Sequence, residues 1–346
     1  MADRLVGVRL APYTTLRLGG AARAFVSAGS QDELVEIVAG ADRAGEQVLV
    51  LGGGSNLVLG DEGFPGLVVK VASAGVEFGG AGRVTVQAGE DWDGLVARCV
   101  AEGLSGVECL SGIPGLVGST PIQNVGAYGQ EVAQTISSVR VYDRLARETR
   151  DLPAAACGFA YRDSAFKGDQ GRHLVLAVTY DLVESGLSGP VAYKELALAL
   201  GVELGARVPL AEARAAVLGL RRGKGMVLDA DDPDTISAGS FFTNPILSAA
   251  EAAELELRAP EFPRWDMPGE RVKVPAAWLI ENAGFPKGYE RGSVRISTKH
   301  TLALTNPTGA ASAEELLALA REVRDGVREK FGVTLVNEPV MVGVRL

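Results

Sequence analysis

The segment Ser111–Gly129 constrains this chain more than any other. It reads Ser111-Gly112-Ile113-Pro114-Gly115-Leu116-Val117-Gly118-Ser119-Thr120-Pro121-Ile122-Gln123-Asn124-Val125-Gly126-Ala127-Tyr128-Gly129, five glycines in 19 positions among apolar and small hydroxyl residues. Connections in compact domains are usually polar and about 4–6 residues long. A long apolar loop this rich in glycine is neither helix nor strand. It is either a buried structural loop or a backbone surface packed against a large flat ligand. A second stretch, Gly52-Gly53-Gly54-Ser55-Asn56, follows the short apolar run Gln47–Leu51. No Gly-Lys-Ser/Thr follows it, so it is not a Walker loop, and Leu57 stands where a G-x-G-x-x-G fingerprint needs its third glycine. Taken alone it reads equally as a tight turn. Together the two loops could hold the pyrophosphate and the ring system of a dinucleotide through backbone amides.

Composition narrows the chemistry. Glycine supplies 44 of 346 residues, about 13%, nearly twice the usual ~7%. Histidine supplies only His173 and His300, which excludes a histidine-built metal centre and makes a Ser-His-Asp triad a poor fit. Cys99, Cys109 and Cys157 are odd in number and form no C-x-x-C pair, so a disulfide framework is not expected. The formal charge of −9 argues against a broad grip on nucleic acid or an anionic membrane. The start carries charge and no apolar signal region, and no run of about 18 uncharged apolar residues occurs. A cytoplasmic location is expected.

Length predicts about two domains, perhaps three. Ser30-x-x-Glu33 reads as a capping box opening a helix, and Gln47–Leu51 and Leu67–Val71 as strands of a small β-α-β opening unit. Alternation predicts strands at Arg83–Ala88, Val139–Tyr142 and Leu174–Tyr180. Helices are predicted from about Trp92 to Glu102, ending at Gly103, and from Leu210 to Arg222. The acidic run Asp229–Asp234 reads as a hinge or boundary. Beyond it, Ser248-x-x-Glu251 and Ser312-x-x-Glu315 cap further helices, Pro275–Asn282 makes another, and Val333–Val336 reads as a closing strand.

Four segments in register then resemble the UDP-N-acetylenolpyruvoylglucosamine reductase (MurB) family. They are the Gly52–Asn56 loop; Ile113-Pro114-Gly115 with Pro121–Gly129; Tyr161-Arg162-Asp163-Ser164-x-Phe166-Lys167; and Gly239-Ser240-Phe241-Phe242-x-Asn244-Pro245. They follow the family's order and span nearly the whole chain. The resemblance implies an α+β chain with an FAD-binding fold of the vanillyl-alcohol-oxidase (PCMH) type and a C-terminal α/β substrate domain. The implied boundaries are 1–71 joined by the C-terminal strand 332–346, then 72–228, then 229–331. The implied cofactors are FAD and NADPH as hydride donor. The implied substrate is UDP-N-acetylglucosamine enolpyruvate, reduced to UDP-N-acetylmuramate for peptidoglycan by a monomer that enters no membrane. Another FAD oxidoreductase or a non-catalytic flavin protein are the alternatives; a covalent flavin is disfavoured because neither histidine lies in a glycine loop.

The family's active-site serine falls on Ser240, its arginine on Arg162 and its late carboxylate, in Asn337-Glu338-Pro339, on Glu338. Read alone, these are a turn or cap serine, an arginine paired with Asp163 or another surface acid, and an exposed strand-end acid. Cofactor contacts are implied at Gly52, Gly53, Gly54, Ser55, Asn56, Ser111, Gly112, Ile113, Gly115, Val117, Gly118, Ser119, Asn124, Gly126, Ala127, Tyr128 and Val178. Substrate contacts are implied at Tyr193, Arg221, Lys224 and Asn244, with Tyr193 marking the type I subclass. Without the resemblance these read as a half-buried tyrosine, a solvated helix end and an Asn-Pro turn. No metal is expected.

Overall fold

A computed structural model describes residues 3–346. Contacts group the chain into two compact units: the chain up to Val8 with Ala22–Gly53 and Pro65–Gly223, and Arg9–Ala21 with Gly54–Phe64 and Lys224–Leu346.

The first unit holds two larger sheets and two short two-stranded pairs. One has the order Leu5–Arg9, Ala21–Ala28, Phe64–Val71, Val48–Leu51, with the last two strands parallel. Helix Gln31–Arg43 lies between Ala21–Ala28 and Val48–Leu51, so the two expected strands both follow it with no helix between them. Ser30 caps it through Glu33 N, but the Glu33 carboxylate reaches Gly29 N rather than Ser30, so only half of the expected box forms. The other sheet is antiparallel: Glu148–Pro153, Ile136–Asp143, His173–Asp181, Arg83–Gln87, Val76–Phe78. His173–Asp181 is central and buried over five consecutive residues, whereas the edge strand Glu148–Pro153 is largely exposed. Helix Trp92–Ala101 joins this core through Trp92, Leu95, Val96 and Cys99. A satellite core of Cys109, Val191, Leu196, Ala197 and Val217 lies under helices Lys194–Leu200 and Leu210–Gly223, the former not expected from the sequence.

In the second unit an antiparallel sheet runs Ser237–Ser240, Ala303–Thr305, Val294–Ile296, Glu290–Arg291. Helix Ala313–Phe331 packs its apolar stripe, including Leu316, Ala320, Val323, Val327 and Phe331, into this unit's core. Each such leucine or valine contributes roughly 1.5–3 kcal/mol. Ser312 and Glu315 form the complete predicted box, and Asp61 adds a carboxylate on Ala313 N at 2.8 Å, where the helix dipole favours negative charge.

Two readings need correction. Val333–Val336 joins no ladder; the last strand is Val340–Val342, parallel to Leu57–Leu59. The apolar alternation there instead buries Val333 and Leu335 in the core, while residues 336–338 bond to 241–243, with Thr243 N on Val336 O at 3.0 Å. The acidic run is a clamp, not a free hinge. Asp234 is 2% exposed and accepts from Thr298 N at 3.1 Å and from Thr298 Oγ1, while Lys299 Nζ donates to Asp232 at 2.7 Å. Contacts separate the two units between Gly223 and Lys224, on the stretch that leads into this run.

Candidate active site

The two glycine loops, far apart in sequence, meet in the first unit. A Cβ on Gly52 would lie 2.8 Å from Ser119 Oγ, and one on Gly53 would lie 2.8 Å from Gly115 Cα. Backbone does not yield to a Cβ at this distance, so the contact of residue 53 with Gly115 exists only with glycine, whereas the Ser119 side chain could turn away from residue 52. A seam of bare backbone lets a pyrophosphate or a planar ring approach main-chain groups, and these residues therefore fit the flavin dinucleotide that the resemblance implies. Several expected contacts have local duties beneath it. Ser111 Oγ donates to Glu108 O, Gly112 N donates to Asp93 at 2.6 Å, and the Val117 and Val178 side chains lie in the core. Gly118 makes room for Ala88, whose Cβ would be 2.6 Å from its own. Gly54, Ser55 and Asn56 begin the second unit, where Gly54, at φ +62°, packs on Tyr13 O and Asn56 O accepts from Val340 N.

Around Arg162 the backbone is strained. Asn124, Tyr128 and Arg162 adopt φ of 45°, 48° and 54°, a left-handed conformation that costs non-glycine residues on the order of 1–3 kcal/mol each. The surroundings enforce it. Asn124 Nδ2 donates to Ala160 O at 3.0 Å and to Glu131 at 2.9 Å, and its Oδ1 accepts from Ala133 N. Asn124 therefore spends its side-chain amide on holding the Arg162 turn to the glycine loop. Arg162 Nη2 donates to Gly126 O and Lys167 Nζ donates to Arg162 O, both at 2.8 Å. The Asp163 carboxylate accepts from Ser164 N, not from Arg162 as its position in sequence suggests. Ala127 continues the same loop in a short hairpin with Gln130.

Arg221 is not a solvated helix end. It is 8% exposed, and burial pushes its guanidinium down to about 10 beside Tyr128, Asp93 and Arg162. Tyr128 is pushed up to about 12, first by burial. Its ring stands edge-on to Tyr193 at 5.5 Å and 87°, and Tyr193 remains 46% exposed at the start of helix Lys194–Leu200.

In the second unit the structure brings Ser240 and Glu338 together. Ser240 ends a strand, paired with Ala303, rather than capping a helix. Phe241 and Phe242, both 1% exposed, anchor the chain just beyond it. Glu338 N donates to Phe241 O at 2.9 Å and Asn337 bridges Phe242, so Glu338 lies half-buried beside the serine strand instead of at an exposed end. Asn244 Oδ1 accepts from Ala276 N at 2.9 Å and so starts helix Ala276–Asn282. Lys224 is half-buried where the chain enters this unit. Sequence reasoning misses Lys167 and Glu131. Lys167 stands inside a recognised motif; nothing local marks Glu131.

Known proteins resemble this chain over nearly its whole length. Residues 232–342 match the model of the UDP-N-acetylenolpyruvoylglucosamine reductase C-terminal domain, and residues 22–148 match that of an FAD binding domain. The UDP-N-acetylenolpyruvoylglucosamine reductase of Thermobifida fusca is 60% identical, covering 98% of each chain. That of Salinispora arenicola is 57% identical over 97% of this chain and 95% of its own. The crystal structure of the Thermus caldophilus enzyme superposes with a TM-score of 0.68 at 27% identity, covering 99% of both chains.

Proposed function

The chain belongs to the UDP-N-acetylenolpyruvoylglucosamine reductase family, and from that premise we propose that Arg162, Ser240 and Glu338 carry its chemistry. The protein is an FAD-dependent oxidoreductase that reduces UDP-N-acetylglucosamine enolpyruvate for peptidoglycan precursor synthesis. FAD, when bound, supplies the hydride relay from NADPH to the terminal alkene carbon. Gly52–Asn56, Ser111–Ser119 and Asn124–Tyr128 would hold it. Hydride addition to the terminal carbon leaves negative charge on the neighbouring carbon and its carboxylate. The Arg162 guanidinium matches that planar carboxylate and stabilises the enolate-like charge. Ser240 then gives its hydroxyl proton to the carbon. A hydroxyl is a weak acid, so it serves only against so strong a base. Glu338 polarises the enol or orders Arg162 and water.

Tyr193 covers the sugar nucleotide, Arg221 and Lys224 face its diphosphate, and Asn244 offers an amide contact. The single observation that carries the reading is the 2.9 Å bond from Glu338 N to Phe241 O, which sets the acid beside the Ser240 strand. The three-part division at 1–71 with 332–346, 72–228 and 229–331, a monomeric state and a cytoplasmic location complete the proposal. Among the described residues no helix is long and apolar enough to cross a membrane.

The test is spectroscopic. Purified protein should be yellow, lose its flavin absorbance on anaerobic addition of NADPH, and regain it when the enolpyruvyl sugar nucleotide is added next. Colourless protein, or reduced flavin indifferent to that sugar, would refute the proposal.

A further inference from the structure

Glu108 is fully buried, at 0% exposed, in a short turn between helix Trp92–Ala101 and the long glycine loop. Every partner of its carboxylate is neutral. Oε2 accepts from Gly106 N at 2.7 Å; Oε1 accepts from Gly189 N at 2.7 Å, from Gln130 Nε2 at 2.9 Å and from Ser105 Oγ at 3.4 Å. Gln130 Oε1 returns to the same turn, accepting from Cys109 N at 2.8 Å. A buried carboxylate loses its hydration, which only well-placed donors offset. An apolar side chain of similar size would fill this place without that loss, but it would not join the segments.

What the carboxylate joins bears on the site. Gln130 lies two residues beyond Tyr128, and Gly189 four residues before Tyr193. The two loops then touch directly, since a Cβ on Gly129 would lie 3.0 Å from Ala192 Cβ. At their ends the Tyr128 and Tyr193 rings meet edge-on at 5.5 Å. Val191, 2% exposed, pins the second loop to the satellite core. Tyr193 itself stays 46% exposed, so its direction depends on the anchoring of the loop that precedes it.

We infer that Glu108 is a positioning residue: it ties the Tyr193 loop to the Tyr128 loop and so sets Tyr193 in place for the sugar nucleotide. This rests on the reading that Tyr193 covers substrate. Glu108 touches no reacting atom; it acts through Gly189 and Gln130.

Glu108→Gln keeps the shape but turns an acceptor into a donor facing donor groups. Loss of one or two such bonds should raise KM for the enolpyruvyl sugar nucleotide roughly tenfold, about 1.4 kcal/mol, and leave kcat and flavin content near the parent's. Gln130→Met cuts one arm alone and should give a smaller rise of the same kind. In a Tyr193→Ala background, Glu108→Gln should add almost nothing to KM. An equal rise in that background, or a fall in kcat and thermal stability with KM unmoved, overturns the inference. If Tyr193→Ala by itself leaves KM unchanged, the covering role of Tyr193 fails. Amide hydrogen exchange over residues 187–193 then decides the anchoring: faster exchange in Glu108→Gln upholds it, and unchanged exchange overturns it.

Discussion

At the residue scale, the proposed chemistry asks unusual tasks of ordinary side chains. Ser240→Ala should leave NADPH oxidation nearly intact and slow reoxidation by the sugar nucleotide by about 10²–10⁴-fold, the range for removing a positioned acid. Stopped-flow measurement of the two half-reactions checks this; equal loss in both removes the acid role. Asp234 makes a pH statement. Burial pushes its carboxyl up, but the Thr298 hydroxyl and amide and Arg295 hold it below the ordinary value near 3.8. A carboxyl lowered by folding contributes stability above its unfolded value, and that contribution disappears as pH falls through the folded one. Asp234→Asn should therefore lower Tm at neutral pH, and the gap to the parent should close as pH drops below about 4. A gap that persists in acid would mean the clamp is not electrostatic. Single residues are also where the sequence is least legible. Arg221 and Glu338 look like surface charges in it, because burial is a property of neighbours that lie elsewhere in the chain.

At the element scale the local code is far more legible. Ser248 and Ser312 start their helices with the predicted boxes, and the helix over Trp92–Ala101 ends near Gly103 as expected. Capping and periodicity are local physics, visible within a few residues. The exceptions have tertiary causes. Glu33 finds Gly29, and Val333–Val336 forms no strand because 336–338 pairs with 241–243. Gly326 shows the same override inside helix Ala313–Phe331. Alanine there would ordinarily favour the helix by about 1 kcal/mol. Its Cβ, however, would fall 2.6 Å from the Phe285 ring, which is buried and meets Tyr289 edge-on. Gly326→Ala should destabilise by about 1–3 kcal/mol, the usual cost of overpacking. Denaturant unfolding of the variant gives the answer, and a rise in stability would show that the ring yields freely.

At the scale of the whole molecule, a ligand held by glycine seams adds stability that no side-chain contact supplies. FAD that binds only the folded state should stabilise by about 4 kcal/mol at a thousandfold excess over its dissociation constant. Stripping the flavin should lower Tm by several degrees, and adding FAD, but not riboflavin alone, should restore it. A Tm indifferent to FAD would argue against the seam at Gly53 and Gly115 as its cradle.

By itself, the amino-acid chain determined its class of fold, the capped helices, its scarcity of histidine and the two glycine loops, because each is written in composition or in short-range spacing. The match of four motifs in register carried the family. Tertiary structure decided which of those glycines face one another, that Asp229–Asp234 clamps instead of bending, that Arg221 is buried, and that Ser240 and Glu338 lie on paired segments. These facts depend on contacts between residues far apart in the chain. Closing such contacts is governed by the packing of the whole core, and no local pattern records it.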